Sequence, residues 1–190
     1  NTKTILTFAF VMLSYFSFAQ NSAYADDQAI RKANVAFVNT IKYKKLNETV
    51  AATYPKYFTV RPKDQMIQML NMTYSNPFLK VDIEDMKFTS VGKPELINGE
   101  YFSVSGYILK LRADASTLND EMKKQISNML TKKYGKENVK LASNGLFAIN
   151  APMKAVAVSK DKKDWKIVLA ETESKTNLQK ILPKQIIEKL

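Results

Sequence analysis

Residues 79–91 read LKVDIEDMKFTSV, and this is where the chain changes period. Leu79, Val81 and Ile83 alternate with Lys80, Asp82 and Glu84, the spacing of a half-buried strand. The apolar phase then slips by one, to Met86 and Phe88, which is what a β-bulge at Glu84 or Asp85 produces. Upstream the period is helical. Asp26 and Asp27 put acids in a first turn, and Ile30, Ala33, Phe37, Val38 and Ile41 follow on one face. Asn47 is placed to cap a second helix ending at Thr53 or Tyr54, with Val50 and Ala51 inward and Pro55 as its stop. Tyr57, Phe58 and Val60 form a short extended piece. A third helix over 63–72 turns Met66, Ile67, Met69 and Leu70 inward.

Downstream the chain is mostly extended. Gly92 to Gly99 reads as a turn region, and 101–112 (YFSVSGYILKLR) as a long strand with a bend at Gly106. Residues 118–134 return to helical spacing and end at Gly135. Residues 139–141 and 146–149 are short strands or extended loop, and 155–159 and 165–169 form a hairpin across a polar turn at 160–164. Helices first and antiparallel strands after them give an α+β fold, with helices covering one face of a curved sheet. Leu178, Ile181, Leu182, Ile186 and Leu190 make an amphipathic C-terminal tail broken at Pro183. The expected organisation is a leader over 1–19, one domain over 26–171 and a tail over 172–190.

The leader reading rests on Lys3, an apolar run from Ile5 to Phe18, and a small-x-small exit at Ser17-Phe18-Ala19. Ala23-Tyr24-Ala25 offers an alternative cut after residue 25. The run is shorter than the ~20 residues a spanning helix needs. The expectation is export, to a bacterial periplasm or the cell exterior. The absence of Cys agrees better with that than with a eukaryotic secreted domain, where small folds lean on disulfides.

The 190 residues carry a formal net charge of +11, with 29 Lys and Arg against 18 acids. Lys3 is the one charge within residues 1–19, so the processed chain stays strongly basic. Its arginines are Arg31, Arg61 and Arg112; the other cations are Lys, a hydrated point charge without the bidentate fork that reads phosphates and bases. The cations are dispersed, so no nucleic-acid partner is expected. Weak contact with anionic envelope surfaces is the expected limit. With no His and no Cys there is no imidazole base, no Ser-His-Asp triad, no cysteine nucleophile and no thiolate or imidazole metal site. No cofactor is expected.

The order of parts resembles the nuclear transport factor 2-like superfamily, whose members include ketosteroid isomerase, scytalone dehydratase and polyketide cyclases. The resemblance is carried by AFVNTIKYKKLNETVAATYPKYF at 36–58, which is similar to the family's opening helices and pocket-wall aromatics, and by KDWKIV at 163–168, which is similar to its closing strand. It spans roughly 28–170. The helix near 118–134 and the tail over 176–190 depart from the minimal fold. The resemblance implies a cone-shaped sheet curled round the helices, a cavity between them and homodimerisation, but no activity, since one cone hosts many functions.

An isomerase-like site on this fold needs a carboxylate base and a Tyr or acid as oxyanion donor. Asp82 and Glu84 alternate with the inward residues and are expected to face solvent. Asp85, at the bulge, is the one catalytic candidate, with an isomerase or lyase as the alternative function. The pocket candidates are Tyr54, Tyr57, Phe58, Tyr74, Tyr101 and Tyr107. The leading expectation is a non-enzymatic binding or interaction domain for a small hydrophobic ligand. A basic, envelope-associated structural protein is the third.

Overall fold

The computed structural model describes residues 22–171 and 175–190 with their side chains; the expected leader over 1–19 lies outside the described residues. The described elements follow in chain order: α1 (Thr2–Lys42), α2 (Leu46–Ala52), α3 (Lys63–Tyr74), β1 (Lys80–Val91), β2 (Glu95–Ile97), β3 (Glu100–Asp114), α4 (Asp120–Tyr134), β4 (Val139–Leu141), β5 (Leu146–Ser159), β6 (Lys166–Leu169), α5 (Lys175–Leu178) and α6 (Lys184–Ile187). A 3-10 turn, Pro55–Thr59, joins α2 to α3. Among the described residues no helix is long and apolar enough to cross a membrane. The fold is α+β, with N-terminal helices on an open antiparallel sheet, α4 inserted between strands and short helices at the C-terminus.

β3 and β5 pair along their whole length, from Tyr101 opposite Ser159 to Asp114 opposite Leu146. β1 and β2 flank β3 on its other side, and β4 and β6 flank the two ends of β5. The bulge in β1 falls between Ile83 and Asp85, and a second lies between Phe88 and Ser90. Gly106 sits opposite the second bulge. A Cβ there would lie 2.8 Å from Thr89 Oγ1 and 2.9 Å from Ser90 Oγ, so only glycine lets the bulged strand close in. Asn98 and Gly99, both at positive φ, make the two-residue turn from β2 to β3.

Strand parity then divides the core in two. Odd residues of β3 and β5, with Ile83, Met86 and Phe88 of β1, face α1: Tyr107, Leu109, Phe147, Ile149, Ala155 and Ala157 pack with Ile30, Phe37 and Val38. Even residues near the β2–β6 end face the other way. There Phe102, Val156, Val158 and Val168 are covered by Leu178, Leu182, Ile186 and Ile187 of the tail. The tail is further held by Lys154 Nζ, which donates to the carbonyls of Lys189 and Leu190.

Several local expectations are corrected. Ser22–Ala25 are already helical, so Asp26 does not open α1; instead Asp26 accepts from Lys162 Nζ at 2.7 Å, tying the helix to the β5–β6 turn. The alternative cut after residue 25 falls inside this helix. Asn47 caps nothing: α2 starts after Lys45, and its buried residue is Thr49, while Ala51 is exposed. Thr49 donates to Thr40, which donates to the Phe37 carbonyl, so hydroxyls fill the α1–α2 joint where aliphatics were expected. Met69 and Val81 are exposed rather than inward. Residues 146–149 and 155–159 are one strand, β5. Pro152 lies within it where neither β4 nor β6 pairs, so its missing N–H leaves no ladder bond unmade on that side.

Because Ile186 is fully buried on the sheet, Ile186→Ala is expected to lower unfolding free energy by about 2–5 kcal/mol. Lys184→Ala on the same short helix should change it by less than ~0.5 kcal/mol. Urea unfolding measures both; equal small effects would show that the tail is not part of the cooperative core.

Candidate functional site

The six aromatic candidates do not converge on one pocket. Tyr54 and Tyr107 are both buried, but in the two different core layers. The reason is local. Thr53 makes a one-residue parallel bridge to Ile167, and Tyr54 N–H donates to the Ile167 carbonyl at 3.0 Å, so these two residues extend the sheet beyond β6. Alternation sends Thr53 toward α3, where its hydroxyl meets Met66 Sδ, and Tyr54 toward the tail. Tyr101 is half-buried at the start of β3, with Lys162 Nζ 4.9 Å above its ring. Tyr74 donates to the Ile41 carbonyl at 3.1 Å, pinning the end of α3 to α1, and burial raises its pKa. Phe58 packs edge-on to Tyr57 beneath Lys63.

Asp85 is exposed on β1. The bulge turns it outward with Asp82 and Glu84, which pair with Arg112 across the strand. A Tyr–carboxylate pair does exist, but it uses Glu100, which the sequence reading passed over. The Tyr54 hydroxyl donates to Glu100 Oε2 at 3.0 Å, and Lys56 Nζ donates to the same oxygen at 2.7 Å. The trio lines an open cleft of about 430 Å³ beside Lys160, Asp161 and Lys166. Partial burial opposes the charge on Glu100, yet Lys56 and Tyr54 together outweigh it and lower its pKa. The Tyr54 pKa is raised, chiefly by desolvation. These two bonds clasp the start of the 3-10 turn to β3.

A smaller and less open hollow lies behind α3, where the two core clusters meet. Phe37 and Ile41 of α1, Tyr57 of the 3-10 turn, Met66, Met69 and Leu70 of α3, and Ile167, Val168 and Leu169 of β6 surround about 80 Å³, with Arg61 and Glu171 at its edge. Burial raises the Tyr57 pKa, as does the nearby Glu171, against the lowering effect of Arg61. α3 forms the thin wall: Met66 and Leu70 are its buried residues, its N-cap is Pro62 with no side-chain cap, and Met69 and Met72 face outward.

The layer under α1 holds a feature of which the sequence reading singled out only Tyr107. Asn34 Oδ1, Ser105 Oγ and Tyr107 OH are buried without a hydrogen-bond partner. Each such group costs about 1–3 kcal/mol of desolvation. Burial, and then the charge of Glu171, push the Tyr107 phenol well above its ordinary value. The available signal was parity: Ser105 and Tyr107 share the inward phase with Leu109 and Leu111.

Among the described residues no group of three acids is placed to hold a metal ion. No family model, no curated protein and no solved structure matches this chain.

The Glu100 clasp sets a pH dependence. Its folded-state pKa is lowered, so its stabilising contribution is complete above the unfolded value of about 4.3 and is lost as pH falls through the depressed folded value. Glu100→Gln is therefore expected to melt below wild type at neutral pH, with the gap closing below about pH 4. A gap independent of pH would contradict the clasp.

Proposed function

We propose that this chain is a non-enzymatic binding domain whose ligand is small and largely apolar, taken up in the layer between α1, α3 and the inward face of the sheet. The observation that carries the reading is the cavity at Phe37, Tyr57 and Leu70, walled on one side by α3, which buries only Met66 and Leu70 and is pinned at its end by Tyr74. At about 80 Å³ it is far below the few hundred Å³ of a preformed ligand site, so uptake requires α3 to shift. Methionines at 66, 69 and 72 suit such a wall, since their flexible thioethers repack with little loss.

Support for binding over turnover comes from the carboxylates. Asp85, the isomerase candidate, is exposed, and Glu100 is neutralised by Lys56 on the opposite layer. Export to a bacterial periplasm or the cell exterior belongs to the same proposal and rests on the sequence of residues 1–19. So does membership of the nuclear transport factor 2-like superfamily, for which helices stacked on a bent antiparallel sheet are the support.

A neutral dye, N-phenyl-1-naphthylamine, tests the binding reading, because an anionic probe would collect on so basic a surface. The expected result is saturable binding with one site per chain. Met69→Trp, at the exposed edge of the cavity, should abolish it without unfolding the protein, as checked by circular dichroism. A dye signal that never saturates, or that survives Met69→Trp, would contradict the reading.

A further inference from the structure

We propose that the groove between the end of α4 and a gap in the edge of β5 takes a single-chain anionic amphiphile, a medium- or long-chain carboxylate, with its chain directed at the hollow behind α3. The inference rests on the binding reading above and names its ligand class.

The gap comes from strand pairing. β4 pairs with β5 as far as Ile149, and β6 begins its pairing at Ala155. One further bond, from the Ala170 N–H to the Lys154 carbonyl, ends the β6 side. Residues 150–153 therefore have β3 on one side and no strand on the other. The last turn of α4 stands over this gap. Asn138 Nδ2 donates to the Tyr134 carbonyl at 2.8 Å and ties the helix end to the start of β4, and Tyr134 and Met153 pack against the same core. The groove left between them is about 560 Å³, within the ~300–1,000 Å³ of small-molecule sites.

Its lining is amphipathic. Met129, Lys132 and Lys133 stand at i, i+3 and i+4 on α4, so they share one helix face, and all three line the groove. Pro152 and Met153 line it from β5, and Glu171, just past β6, completes it. Met129 is 57% exposed and Pro152 is also exposed, so an apolar floor stands open to solvent. Charge decides what covers it. Lys132 makes no ion pair among the described residues, and Lys133 lies 5.6 Å from the Tyr134 ring centroid. Two ammonium groups beside an apolar floor match a chain that ends in an anion; an alcohol leaves their charge to water.

Glu171 also edges the hollow at Phe37, Tyr57 and Leu70, so groove and hollow are neighbours. At about 80 Å³ the hollow accepts the tip of a chain, and the groove has room for the rest. The like charge of Glu171 turns a carboxylate toward the lysine wall and leaves the chain to face the hollow.

The test sets decanoate and 1-decanol in competition with N-phenyl-1-naphthylamine, on the full chain at neutral pH. Wild type should release the dye to decanoate at a concentration roughly tenfold lower than to decanol, the worth of one charge-assisted hydrogen bond. Lys132→Gln with Lys133→Gln should lose most of that preference and keep both the dye affinity and the circular dichroism spectrum. Lys87→Gln with Lys93→Gln removes the same charge from β1 and the β1–β2 link, across the sheet from the groove, and should keep the preference. If the dye binds but decanoate and decanol compete equally, this inference is overturned while the binding reading stands. If the preference survives loss of both groove lysines, or falls as far with Lys87 and Lys93, the attraction belongs to the basic surface as a whole and the inference is also overturned. If the dye itself fails to bind, the binding reading falls and this inference falls with it.

Discussion

The full-length pairing of β3 with β5 is the constraint on which the rest of the molecule depends. Fourteen consecutive partners, from Tyr101 opposite Ser159 to Asp114 opposite Leu146, lock two long strands in one register. A slip by one residue would send every inward side chain outward. That register puts Tyr107 and Ser105 under α1 and puts Phe102 under the tail. Everything else on the sheet is short or bulged and takes its place from this pair.

From that parity follows a division of labour between two layers. The tail side has its polar groups paired: Leu178, Leu182, Ile186 and Ile187 cover valines, and the nearby Tyr54 hydroxyl has Glu100. The α1 side is less complete. It borders a cavity walled by α3, and it keeps three buried polar groups without partners. A layer selected only for stability would replace those groups with apolar ones of similar shape.

The sequence made the period change at Leu79, the first bulge of β1, the outward acids Asp82 and Glu84, and the β5–β6 hairpin readable, because each is a local pattern. It hid what depends on distant partners. Pro152 made one strand look like two, since only the termination of β4 and β6 on either side of it makes a proline acceptable there. Tyr54 and Tyr107 look like two walls of one pocket. The bridge from Thr53 to Ile167, more than a hundred residues away, sends Tyr54 to the tail side, while Tyr107 lies under α1. Ser105 and Asn34 read as ordinary polar residues, because burial of a single polar side chain leaves no mark on composition or spacing.

The central claim is that the incomplete layer under α1 is a binding site and the cleft at Glu100 is not. A crystal structure of the protein soaked with N-phenyl-1-naphthylamine addresses it most directly. The account predicts ordered ligand between α1, α3 and β6, against Phe37, Leu70 and Ile167, with α3 moved outward relative to β6. Ligand seated only in the cleft beside Tyr54 and Glu100, with the layer under α1 unchanged, would contradict it.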